Sequence, residues 1–66
     1  MKNNIKQERV NKGITQMQLA DEVNVSRQTI ISIESNRYTP SVLLSIKIAN
    51  ALRKKVEQLF ELEPFD

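Results

Sequence analysis

Arg27, Gln28, Ile31 and Ser32 stand in the segment SRQTIISIE at the spacing that gathers them on one side of a helix. At about 100° per residue, Ile30 and Ile33 turn inward. Gln28, Ile31 and Ser32 then point away from the core, with Arg27 at the edge of their row. The chemistry such a row offers is hydrogen bonding to flat partners met edge-on, with no bond made or broken. A guanidinium forks to two acceptors, a carboxamide donates and accepts side by side, and a β-branched side chain packs on a methyl group. Those are the complements of guanine, adenine and thymine edges in a major groove. An ordinary solvated helix face also carries Arg and Gln, and a stray surface isoleucine is not rare. What favours base contact is the setting of the row.

Two short helices must position it. Gly13 closes a preceding helix, since glycine takes the left-handed terminal conformation without steric cost. Thr15 opens the next one, and Gln18 completes a capping-box pattern with it. Leu19, Ala20 and Val23 share the inner face, and the small Ala20 suits a close helix crossing. Asn24 ends that helix because asparagine tolerates positive φ. Ser26 caps the next helix, 26–34, and Val25 before it is placed as a hydrophobic staple. The result, over about 15–34, is a pair of helices joined by a tight turn, the second shaped to enter a groove.

The rest of the chain reads as support. A first helix spans about Ile5 to Lys12, with Ile5 and Val10 as its clearest apolar residues. SNRYTPS after Glu34 is a loop by its Ser, Asn, Thr and Pro content. Pro40 suits the first turn of a fourth helix, with Thr39 or Ser41 as its cap. That helix runs to about Leu52 and is expected to bury Val42, Ile46, Ala49 and Leu52. The basic run Arg53-Lys54-Lys55 leads to a last short helix, Val56 to Phe60. The tail alternates Phe60, Glu61, Leu62, Glu63 at strand period and is placed to pair antiparallel with Lys2 to Asn4. The expected fold class is all-α, with five helices and a small two-stranded antiparallel sheet made by the termini.

Composition excludes more than it proves. The 66 residues make one domain, and a chain this size buries only roughly 60% of its unfolded surface, so a partner subunit would help it. The net charge of +2 permits nucleic-acid binding without demanding it. With no His, no Cys and a single Gly, there is no nucleophile–base couple, metal site, disulfide or glycine-rich phosphate loop. An enzyme, a cofactor, a bound metal and a small-molecule substrate are therefore not expected. Lacking a signal peptide or a long apolar run, the chain is expected to be cytoplasmic, away from membranes.

At this point ITQMQLADEVNVSRQTIISIESNRYTPS resembles the phage-repressor type of helix-turn-helix, the XRE or lambda-repressor-like family. The pattern is Thr-Gln and Leu-Ala in the second helix, Val-Ser entering the third, an Ile, a closing Glu, and Pro-Ser before the fourth. KIANAL and the ending LF match the family's last two helices. In length and layout the chain is similar to the compact repressors of the enterococcal cytolysin-regulator type, which are dimers with a small terminal sheet. The resemblance implies double-stranded DNA as the partner. It implies that Gln16 touches a phosphate, and that Arg9 and Glu34 form an ion pair bridging the first helix to the end of the third. Asn36, Arg37, Tyr38, Thr39 and Ser41 lie where the chain would pass the DNA backbone and could hold phosphates without reading sequence. The chain departs from the pattern at Asn36 and Arg53, where glycine is usual, and at Lys55, where a Ser or Thr cap is usual. Leu43 stands where a polar residue is common.

The reading is a transcriptional repressor that binds a near-palindromic operator as a homodimer, with helix 26–34 in the major groove. Its dimer interface is expected in the region 53–66, through Leu59, Phe60, Leu62 and Phe65, because apolar side chains near a chain end mark oligomer contacts. The same apolar set leaves a second reading open, an antitoxin-like or adaptor module whose partner is a protein.

Overall fold

Local capping chemistry sets the helix boundaries in the computed structural model, which describes residues 1–66. The order is β1 (Lys2–Asn3), α1 (Ile5–Lys12), α2 (Gln16–Glu22), α3 (Arg27–Glu34), α4 (Val42–Leu52), α5 (Val56–Leu59) and β2 (Phe60–Glu61). Thr15, Ser26 and Ser41 each accept a hydrogen bond from the backbone N–H three residues on, which satisfies a donor the helix itself leaves free. Thr15 and Gln18 make the full reciprocal box, at 3.0 and 2.7 Å. At α5 only half of one exists. Gln58 accepts from the Lys55 backbone N–H at 2.8 Å, but an ammonium has no acceptor to return the bond.

The four longer helices end alike. Gly13, Asn24, Asn36 and Arg53 all take positive φ, between 56° and 78°. In each case that residue's N–H bonds back three residues and the next N–H bonds back five. This paired closing satisfies terminal carbonyls and turns the chain sharply. Arg53 does it without glycine's freedom, a strain of about 1 kcal/mol that the surrounding bonds must hold. The Lys12 ammonium adds a bond to the Ala51 carbonyl in the last turn of α4, where a cation suits the helix dipole.

One core holds the helices together. Ile5, Leu19, Ala20, Val23, Ile30 and Ile33 meet Leu44, Ile48, Ala49, Ala51, Leu52 and Leu59 in it. Ile14, Val25, Val56 and Phe60 pack on its margin. β1 and β2 pair antiparallel, with Lys2 opposite Glu61 and Asn3 opposite Phe60. Beyond Glu61 the chain turns, and Asp66 bonds to the Glu63 N–H at 2.8 Å. The Met1 ammonium lies 2.9 Å from Asp66 and 3.3 Å from Glu63. Its hydrogen bond to Asp66 raises its pKa, while the Glu63 N–H, then the ammonium, lowers that of Asp66.

Several expectations are corrected. On α1 the buried partner of Ile5 is Arg9, and Val10 is exposed. Residues 5 and 9 stack at i and i+4, which leaves position 10 about 100° round the helix. On α4 the inner face is Leu44, Ser45, Ile48, Ala49, Ala51 and Leu52, whereas Val42 and Ile46 are exposed. The run VLLSIKIANAL is apolar almost all round, so its period does not choose a face. Ser45 can face inward because its hydroxyl donates to the Ser41 carbonyl at 2.8 Å. Pro40 precedes the Ser41 cap and lies outside the helix, and Phe60 belongs to β2. Leu59 is fully buried within its own chain, so it has no surface to offer a second copy.

Candidate nucleic-acid interface

The site is built on α3, and the residues that fix α3 come from three other elements. The Arg9 guanidinium on α1 donates from Nε to Glu34 Oε2 at 2.7 Å and from Nη2 to Oε1 at 3.3 Å. Its Nη1 donates to the Ile14 carbonyl at 3.0 Å. The two side chains are only 9% and 5% exposed, so the expected ion pair is a buried fork. Gln16 at the start of α2 joins it, donating from Nε2 to Glu34 Oε1 at 3.1 Å. The bond uses one of the two Gln16 amide protons, and the half-buried side chain keeps the other. At the far end, β1 contributes Asn3, which donates to the Ile33 carbonyl at 2.9 Å and to Asn36 Oδ1 at 2.8 Å.

With α3 so held, its outer row is brought together. Gln28, Thr29, Ser32 and Tyr38 line one shallow depression, so the loop after α3 folds back beside the helix face. Arg27 lines a second depression with Thr15, Gln16 and Met17, where the start of α3 faces the start of α2 and the end of α1. Arg27, Gln28 and Arg37 are exposed, and neither arginine has an ion-pair partner within the chain. Ile31 and Ser32 are half-buried, so each presents only part of its side chain. Tyr38, Thr39 and Ser41 are exposed, although the Ser41 hydroxyl is already engaged as the α4 cap. The Arg37 and Tyr38 N–H groups both bond to the Ser32 carbonyl, at 2.9 and 3.3 Å, which ties the loop to the helix.

Two residues of this surface are not evident from the sequence. Thr29 reads as the third residue of a capped turn, yet its side chain lines the depression beside Gln28. Asn3 sits thirty residues from the carbonyl it holds, and no local pattern could have announced it.

What this frame can do is present flat hydrogen-bonding groups and two unpaired cations on one rigid face. Nothing in it positions a nucleophile. The comparisons show the family. A family profile described as helix-turn-helix matches residues 5–59. An uncharacterized HTH-type transcriptional regulator of Methanothermobacter thermautotrophicus is 45% identical over 64 residues, covering 96% of this chain and 93% of its own. The uncharacterized HTH-type transcriptional regulator YgzD of Bacillus subtilis is 44% identical over 63 residues, covering 96% of each. Among solved structures, the restriction-modification controller protein C.AhdI of Aeromonas hydrophila superposes with a TM-score of 0.79 at 27% identity, over 85% of both chains. The N-terminal DNA-binding domain of SinR from Bacillus subtilis gives 0.78 at 31% identity, over 91% of this chain and 88% of that one. A buried ion pair holding α3, a four-residue turn before it and these relatives lead to one assignment: the chain belongs to the helix-turn-helix family of transcriptional regulators.

Proposed function

We propose that this protein is a cytoplasmic, sequence-specific DNA-binding repressor that acts as a homodimer on a near-palindromic operator. The observation that carries the reading is the outer row of α3, flanked by unpaired Arg27 and Arg37 and anchored from behind by the buried Arg9–Glu34 fork. α3 enters the major groove, where Arg27, Gln28, Ile31 and Ser32 meet base edges. Arg37, Tyr38, Asn36, Thr39 and Ser41 follow the phosphate backbone. Gln16 donates its second amide proton to a phosphate while the first stays on Glu34.

Arg37 tests the phosphate half of the reading. Arg37→Ala is expected to weaken operator and mixed-sequence duplex alike, and to lower the slope of log affinity against log salt by roughly 1. The measurement is a salt titration of duplex binding by wild type and variant. An altered base preference at an unchanged slope would make Arg37 a base reader instead. Absence of salt-dependent binding by the wild type at low salt would leave the adaptor reading in possession.

Dimerisation runs through the tail and the adjoining face of α4. Leu62 and Phe65 are 76% and 80% exposed, and Val42, Leu43 and Ile46 are also bare. An apolar groove lined by Pro40, Val42, Ile46, Val56 and Phe60 lies on that face. Isolated surface leucines are common, but an apolar groove accompanied by several further bare apolar side chains supports a partner surface. A second copy seated there would set two α3 helices about 34 Å apart, one turn of DNA. Sedimentation at micromolar concentration should give a dimer, and Leu43→Glu combined with Phe65→Glu should give a folded monomer. A wild type that stays monomeric with duplex present would sink this part of the proposal.

A further inference from the structure

We propose that Asn3 is a positioning residue of the DNA-binding face, tying the terminal sheet to the end of α3 and to the turn that carries Arg37 and Tyr38. The inference rests on the DNA-binding reading above and adds to it a residue that touches no DNA. Asn3 is half-buried in β1, opposite Phe60. Its Oδ1 accepts from the Ile5 N–H at 3.2 Å, at the start of α1. Both protons of its amide are used, one on the Ile33 carbonyl and one on Asn36 Oδ1. One side chain thus holds the first turn of one helix, one carbonyl in the last turn of another and the turn beyond it, with every donor satisfied.

The far ends of these bonds matter. The Ile33 carbonyl also accepts from the Asn36 N–H at 3.0 Å, and Asn36 is the positive-φ residue that reverses the chain after α3. Asn3 therefore braces the one backbone position on which the direction of the following loop depends. Because β1 pairs with β2, the brace also runs to the segment that begins the exposed tail. A disturbance of the terminal sheet would reach the phosphate-facing loop through this amide, with no need to unfold the core.

Two substitutions separate bracing from folding. Asn3→Asp keeps an oxygen for the Ile5 N–H, where a negative charge suits a helix start, but has no proton for Ile33 or Asn36. Asn36→Gly keeps the left-handed turn and removes the acceptor together with the Asn36 side chain's own phosphate contact, so it is read by exchange alone. Hydrogen exchange of the full chain should show the Asn36, Arg37 and Tyr38 amides exchanging several-fold faster in either variant, with the Ile48 and Leu52 amides unchanged. Binding of Asn3→Asp to mixed-sequence duplex should weaken about three- to ten-fold, the loss of a hydrogen bond or so. In exchange the double variant should resemble Asn3→Asp alone, because the bond that Asn36→Gly removes is one that Asn3→Asp has already cut. Unchanged exchange at residues 36–38, or an equal rise in the core amides, would overturn the proposal, since Asn3 would then be idle or merely stabilising. A wild type that fails to bind duplex would instead overturn the DNA reading, and the exchange pattern would still decide whether the brace exists.

Discussion

Glu34→Ala is expected to destabilise the fold by about 3–5 kcal/mol, the range for removing one partner of a buried ion pair. The carboxylate takes two bonds from Arg9 and one from Gln16. Without it the Arg9 guanidinium, 9% exposed, keeps only the Ile14 carbonyl. A buried cation with an unmet fork is the source of the penalty, more than the lost attraction itself. Domains of this size are stable by only a few kcal/mol, so the variant should be largely unfolded or melt some tens of degrees lower. Arg9→Ala should cost a comparable amount, because it leaves the Glu34 carboxylate, 5% exposed, with only the Gln16 amide. Arg9→Met with Glu34→Leu should recover much of the loss, since apolar replacement of a buried pair is often near neutral. Urea unfolding of the four proteins makes the comparison. A loss below about 1 kcal/mol for Glu34→Ala would mean that the pair behaves as a surface one.

The second large effect lies on the outer row of α3. Gln28→Ala should cost on the order of 1–3 kcal/mol on the operator, the worth of a bidentate base contact, and little on mixed-sequence duplex. Ser26 caps α3, so Arg27 and Gln28 occupy the first turn, the part of a reading helix that reaches bases. Arg27→Ala should behave similarly, with an added loss on all sequences because an unpaired cation attracts phosphate everywhere. Ile31→Ala should relax the preference for thymine at one position in each half-site. Its half-buried side chain also adds a small stability loss, which thermal melting separates from the binding effect. The measurement is a matrix of the three variants against single-base changes in an operator selected from random duplexes. Uniform losses across that matrix would remove α3 as the reader of sequence.

Much of this protein was legible without coordinates, because the determining interactions are local. Thr15 with Gln18, and the Ser26 cap, act over three residues, and the turns at Gly13 and Asn24 depend on a single φ. A chain carries such information at each position, so the two helices and the turn between them follow from residue types alone. The outward placement of Arg27 and Gln28 follows too, since Ile30 and Ile33 leave the short helix α3 only one way to face. Tertiary structure decided what several partners compete for. The α4 run offers apolar residues on every side, and only the position of the other helices selected Leu44 and Ile48 over Val42 and Ile46. Leu59 went into the core as well, while Val42, Leu43, Ile46, Leu62 and Phe65 stayed bare. Likewise Arg9 and Glu34 are joined by family pattern, but their burial depends on the packing of α1 against the end of α3. Asn3 reaches Ile33 and Asn36 only because the termini pair, and a hydrogen bond across thirty residues has no periodicity to betray it.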